Sequence, residues 1–490
     1  MKKIIFSILL LFFVTNVNAE DAIVKVKNPV PMPKEMKNKE WSVLKVDNDE
    51  LIIYAFNAGK LSLAHLDANS NVKQQVDHKN TQYTLMNALV NEEEIAVLTY
   101  DSNIGGLQCN TYDINTLAPK NQKVLLEKRK DVFDSYFLKT SKNGQYIALL
   151  TNYIQKNVYH HKLYLFDRQF NMLTSCETLQ QPEIKNVAMS LEADMNVTDD
   201  GKVVIASFRT TINNSRSYNG EKPKLTFGKA VYFTADFAPQ LDIDIISKDG
   251  QQHYDIEHPI SGLTVRPTLM NISGDHLLLG LFEANAWGSY ANGFALTDDY
   301  VTLDCDLTSK NATEKGRLKL PGAPWSCLVM FANKPVRLGN VIQMTDGSFI
   351  VPTDKNPREP YNRFEINFNR EFIWADADGS NLTSGSWGSM TVNKSPLILG
   401  GFSTDGGMSV RFQYGGRYWL IDVPESELGS GSLRSCTRDG KMTQNTPSNF
   451  QFIKPTSQII VTDANKFLVF NAGKVGKEFI FQTGSIEIIK

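Results

Sequence analysis

One local pattern recurs along this 490-residue chain and limits what it can fold into: a tight turn followed at once by a short β-forming run. The clearest instances are Asp49-Glu50-Leu51-Ile52-Ile53-Tyr54, Glu94-Ile95-Ala96-Val97-Leu98 and Asn143-Gly144-Gln145-Tyr146-Ile147-Ala148-Leu149-Leu150. Further on come Asp200-Gly201-Lys202-Val203-Val204-Ile205, Gly274-Asp275-His276-Leu277-Leu278-Leu279, Asp346-Gly347-Ser348-Phe349-Ile350-Val351 and Asn465-Lys466-Phe467-Leu468-Val469-Phe470. Most of them place residues that tolerate positive φ just before β-branched, aliphatic or aromatic side chains, as a hairpin requires. Few stretches keep apolar residues at i, i+3, i+4 and i+7, so amphipathic helices contribute little. The chain reads as all-β.

Up to Val351 the cores recur at intervals of roughly 40 to 75 residues, the period of four-stranded propeller blades with some long connections. The last interval is longer and has room for another blade around residues 402–420. The count predicts a single β-propeller of seven or eight blades over residues 41–490, its final strands completing the first blade. A pair of β-sandwiches would also supply many short strands. One internal echo favours the propeller: Phe56-Asn57-Ala58-Gly59-Lys60 returns as Phe470-Asn471-Ala472-Gly473-Lys474, each time at the end of a turn-strand core. Ser141-Lys142-Asn143-Gly144-Gln145-Tyr146-Ile147-Ala148, followed by Lys162-Leu163-Tyr164-Leu165-Phe166-Asp167, resembles the blades of TolB-like and WD40-like bacterial propellers. Those read Ser-x-(Asp/Asn)-Gly-x-x-Ile-Ala and then Leu-Tyr-x-x-Asp. Residues 341–351 are similar to the strand-turn-strand of other secreted bacterial propellers. The resemblance implies an architecture and carries over no functional residue, because such folds host many activities.

The N-terminus predicts export. Lys2 and Lys3 precede an almost purely apolar run over residues 4–14, and Val17 and Ala19 occupy the −3 and −1 positions before Glu20. That is the layout of a cleavable secretory signal over residues 1–19. The run is about half the ~20 residues of a spanning helix, and no later segment reads as a membrane span. No cysteine follows it, which argues against a lipid anchor. Residues 20–40, with Pro29, Pro31 and Pro33, read as an extended leader rather than a packed element. The expected destination is the periplasm, the cell surface or the medium. Net charge is −2 and removal of the two signal lysines makes it slightly more negative, so nothing points to nucleic acid. The five cysteines show no CxxC pair, which makes a structural zinc site improbable; Cys305 and Cys327 are the nearest pair and the candidate disulfide, with buried free thiols the alternative.

No nucleophile elbow, zincin motif, phosphate loop or dinucleotide fingerprint is present. Ser403-Thr404-Asp405-Gly406-Gly407-Met408-Ser409 fits most of the Asp-box of sialidase-like propellers, itself a structural turn. His160-His161 and the pair His253 and His258 invite a metal-ligand or general-base reading. Adjacent strand residues point to opposite faces, so His160 and His161 cannot share an ion, and blade-edge positions account for all four. Asp376 and Asp378, alternating before Gly379, suggest calcium or simply an Asp-Gly turn. Aromatic side chains in small-residue surroundings form three clusters: Trp287 and Tyr290, Trp387, and Tyr414, Arg417 and Trp419. Open ring faces there would suit stacking on a sugar or gripping a protein, whereas wedging between blades would bury them. The preferred function is a binding or scaffolding module for protein or glycan, without catalysis and without a cofactor other than calcium. The alternatives are a carbohydrate-active hydrolase or lyase and a structural subunit of an envelope machine.

Overall fold

The middle strands of this chain carry unbroken apolar runs, and such a strand is stable only where both faces of its sheet are covered. In the computed structural model the second to sixth sheets, whose core side chains are described, meet that condition. Described are residues 22–26, 30–31, 41–45, 50–57, 59–68, 71–79, 84–91, 94–101, 106–126, 135–155, 158–180, 192–212, 237–260, 263–285, 297–320, 341–355, 365–393, 409–422, 432–438, 440–444, 457–463, 466–475 and 478–488. They form eight antiparallel sheets. The first is Trp41–Lys45, Leu51–Asn57, Lys60–Leu66 and Val72–Lys79 in sequence order. Sheets two to seven repeat this order within residues 84–126, 135–180, 192–256, 263–320, 342–393 and 409–444. The eighth takes three strands from the C-terminal segment, Ser457–Asp463, Lys466–Val475 and Glu478–Ile488, and its outer strand, Ala22–Val26, from the N-terminal one.

Side chains alternate between the two neighbours of each sheet. Ile147 and Leu149 pack on the second sheet with Leu98 and Leu107, while Ala148 and Leu150 pack on the fourth with Val203 and Ile205. The same interlocking joins the first and second, fourth and fifth, fifth and sixth, and sixth and seventh sheets. The inner strand Ser457–Asp463 lies against both Ser409–Tyr414 and Trp41–Lys45, and this closes the ring. The molecule is an eight-bladed β-propeller. Outer strands are wetter; in Val72–Lys79 every described residue is intermediate or exposed.

All seven turn-strand cores begin the second strand of a separate sheet, and the long final interval does hold a blade, with second strand Arg417–Asp422. Closure differs from the expectation. The first blade is complete in itself, and the leader completes the last one: Ala22 pairs with Ile488 and Val26 with Gly484. Within residues 20–40, Ala22–Val26 is therefore a packed strand, and Val30–Pro31 pairs with the same partner at Phe481 and Ile480. The physical reason is the edge: Glu478–Ile488 would otherwise end the sheet with unpaired backbone groups. Lys25 Nζ also meets Glu487 Oε2 at 2.5 Å, an exposed pair that adds little. A chain lacking residues 20–26 is expected to melt more than about 5 °C lower and to self-associate through the bared strand. An unchanged melting temperature by calorimetry would contradict this closure.

Candidate functional site

Antiparallel order puts the connection between first and second strands, and that between third and fourth, at one end of each sheet. Those connections span two to seven residues in every blade. The opposite end carries the second-to-third connections and the passages between blades. Residues 213–236, 286–296, 321–341 and 394–408 all belong there, although some connections at that end are as short as 58–59.

The tight end is cross-linked from blade to blade. Asn143 N and Nδ2 donate to Asp199 Oδ1 and its carbonyl (2.8 and 3.1 Å), joining the third and fourth blades. Thr302 Oγ1 donates to the Gly379 carbonyl at 2.6 Å, joining the fifth and sixth. Arg438 of the seventh blade binds Asp376 and lies 3.7 Å from Asp346, both in turns of the sixth.

These contacts decide the role of several residues singled out in the sequence. Asp376 is engaged by Arg438 and by Asn381 Nδ2 (2.7 Å), and Asp378 accepts from Ser380 N and Oγ (2.9 and 2.7 Å). The two carboxylates thus serve an Asp-Gly turn, with Gly379 at φ 84°, and do not converge on one point. Trp419 is fully buried, its Nε1 donating to the Tyr414 carbonyl (3.0 Å) and its ring stacked on Phe412. Arg417 is buried beside it, Nη1 donating to Ser435 Oγ at 3.3 Å. Tyr418 and Leu420 of the same strand pack on the sixth blade, so alternation turns Arg417 and Trp419 toward the eighth. The open ring face expected of Trp419 is absent because the ring wedges between blades; Tyr414 is half-buried. Trp387 sits at a bulge, where Ser386 and Gly388 face consecutive residues Glu371 and Arg370. Trp287 and Tyr290 lie outside the described residues, in the segment joining strands at the long-connection end. Trp387 and the group Tyr414, Arg417 and Trp419 therefore lie on different blades.

Cys305 is a buried free thiol packed with Val301, Leu303 and Leu277, and its proposed disulfide partner Cys327 lies outside the described residues. Its strand, Thr297–Asp306, turns Cys305 into the core between the fourth and fifth blades, and burial pushes the thiol up to about 12. The signal segment 1–19 and most of the Asp-box-like turn are likewise outside the described residues, as are the side chains of His160 and His161. His258 caps a local turn, its Nδ1 accepting from Ile260 N at 3.1 Å, with its ring edge-on to Phe208.

His253 has a different environment. It lies on the outer strand of the fourth blade, Gly250–Ile256, opposite Asp244, while Asp255 stands opposite Asp242. All four side chains rise from the face that turns Ile246 toward the third blade. Asp242 and Asp244 are 0% and 1% exposed. His253 Nδ1 donates to Asp244 Oδ1 at 2.8 Å, and Nε2 lies 3.2 Å from Asp255 Oδ1 and 3.8 Å from Asp242 Oδ1. Gln240 Nε2 donates to both Asp242 Oδ1 (3.2 Å) and Asp255 Oδ1 (2.8 Å). Burial opposes charge on the imidazole, but the Asp244 hydrogen bond and the surrounding carboxylates outweigh it and raise His253 above its ordinary value. A hydrogen bond with Asp242, together with the His253 contact, holds Asp255 below the usual carboxylate range. Among the described residues this is the one group whose His and carboxylate atoms converge closely enough for a metal ion. The sequence carried a signal for it, Asp242-Ile243-Asp244 and His253-Tyr254-Asp255 about the tight turn 248–249, but His258 follows the strand Gly250–Ile256 and the true partners of His253 lie across the hairpin.

No protein-family model matches the sequence, and no curated protein matches it. Solved structures similar in fold include the WD40 domain of SCAP from fission yeast, at 9% identity over 94% of this chain and 98% of that one, TM-score 0.38. Porphyromonas gingivalis dipeptidyl peptidase 4 is 10% identical over 94% of this chain and 61% of its own, TM-score 0.46. TolB from Acinetobacter baumannii is 12% identical over 70% and 65%, TM-score 0.26. This chain thus spans less than two thirds of the latter two, and at such identities the likeness is one of fold alone. Among the described residues no helix is long and apolar enough to cross a membrane.

Two outcomes are expected. Because His253 is raised in the folded chain, its stabilisation is complete below about pH 6.5 and is lost as pH rises through the folded value. The melting-temperature gap between wild type and His253→Gln should therefore shrink from pH 6 to pH 9; a constant gap would contradict the charged contact. Peptides containing Cys305 should resist iodoacetamide until the protein is denatured, without prior reduction. Recovery of a Cys305–Cys327 bridged peptide would contradict the free thiol.

Proposed function

We propose that this chain is an exported β-propeller that serves as a binding or scaffolding module for a protein or glycan, engaged at its long-connection end. The supporting observation is the asymmetry between the ends. Every turn at one end is short, whereas segments of up to 24 residues, 213–236, emerge at the other. In repeat architectures insertions gather on the face that meets a partner, since connections tolerate length and variation that packed strands do not. Trp287 and Tyr290 belong by sequence to one such segment, beside Gly288 and Ser289, a composition that suits an aromatic contact with a partner. The secretory pattern of residues 1–19 supports a partner in the periplasm, at the cell surface or outside the cell.

The test replaces residues 286–296, and separately 213–236, by Asn-Gly hairpin turns. Binding to a panel of immobilised polysaccharides and to native envelope fractions is then measured beside the melting temperature. At least a tenfold loss of binding with melting within about 2 °C of wild type is expected for one or both variants, since hot-spot losses of this size follow removal of a few aromatic anchors. Binding that survives both replacements, or that responds instead to Lys202→Glu at the tight end, would contradict the reading. Turnover of a polysaccharide would replace it with a hydrolase or lyase.

A further inference from the structure

We propose that the fourth blade holds a divalent first-row transition ion on Asp242, His253 and Asp255, in the face it turns toward the third blade. One ligand atom from each residue lies within 4.8 Å of the others. They come from two strands joined by the two-residue turn 248–249 and fixed in register from Leu241↔Ile256 to Ser247↔Gly250, so the donors are held by a continuous ladder and not by a loop. Asp244 receives His253 Nδ1 at 2.8 Å. That bond sets the ring orientation and leaves the Nε2 lone pair for a metal, the usual support of a ligating histidine by a carboxylate.

Two further observations point to a cation. Ser207, 1% exposed, has a buried Oγ without a hydrogen-bond partner. It is in register with Asp242 on the adjoining strand and rises from the same face, which brings a fourth donor atom beside the Asp242 carboxylate. Burial agrees: the Asp242 and Asp244 carboxylates beside the imidazole are almost wholly buried, where a bound cation interacts most strongly. Gln240 Nε2 already donates to both Asp242 and Asp255, marking the point between them that favours positive charge. An imidazole nitrogen with carboxylate oxygens suits zinc or manganese better than calcium, which prefers an all-oxygen shell. Facing the group from the third blade is Cys176, whose thiol burial and Asp244 push up to about 11, against the opposing effect of Lys162.

The experiment titrates the chelator-treated full chain with ZnCl2 by calorimetry, with MnCl2 and CaCl2 in parallel. One zinc per chain is expected. Zinc at hundredfold excess over its dissociation constant should raise the melting temperature. His253→Gln and Asp255→Asn should each weaken zinc at least tenfold while melting without zinc like folded protein; Asp255 is exposed at the blade edge, so its replacement leaves the core intact. Absence of saturable zinc binding, zinc binding unchanged in both variants, or calcium binding as tight as zinc would each overturn the site.

Discussion

The structure depends on one constraint, that each sheet is covered on both faces by its neighbours. A four-stranded sheet with a middle strand such as Leu277–Leu281 cannot leave either face in water, because odd and even positions are equally apolar. Leu277, Leu279 and Leu281 pack toward the fourth blade, while Leu278 packs toward the sixth with Phe349 and Ile373. Burial of this kind contributes roughly 25 cal/mol per Å² of apolar surface, and it is available in full only when the ring is closed. Ala22–Val26 matters for the same reason: it caps the one sheet whose outer strand the C-terminal segment does not supply.

A ring held by packing leaves its two ends free to differ. At one end the turns are short and hydrogen-bonded to each other, through Asn143 and Asp199, Thr302 and Gly379, and Arg438 and Asp376. This end can accept little change in length without moving two blades. The connections at the other end include the longest of the chain, 213–236 among them. The polar group about His253 lies between these regimes, on the flank of a blade, where a hairpin register rather than a loop sets its geometry.

The parts of the fold legible in sequence were those with a local cause. A turn of positive φ followed by a doubly buried strand writes itself as Asn143-Gly144 before Ile147-Ala148-Leu149-Leu150, and Gly201, Gly274 and Gly347 introduce their strands in the same way. The seventh blade was fainter because Gly415-Gly416 leads into Arg417, a charged residue that is nonetheless buried. Closure was not legible, since Ala22–Val26 is short, lies before a proline-rich stretch, and pairs with residues more than 450 positions away. The functional residues follow the same rule. Asp376 and Asp378 formed the turn that their spacing suggests, Trp419 was drawn inside by the packing of two sheets, and the His253 group required cross-strand register that composition does not encode.

The two ends of the ring should differ in their tolerance of added length, and insertion scanning measures that difference directly. A six-residue Gly-Ser segment would be placed in turn into each connection of the ring, and the melting temperature of every variant recorded. Insertions into the short connections at 141–145, 198–202, 376–382 and their equivalents should lower melting by several degrees, and insertions into 213–236, 286–296, 321–341 and 394–408 should leave it unchanged. Equal tolerance at the two ends would contradict the claim.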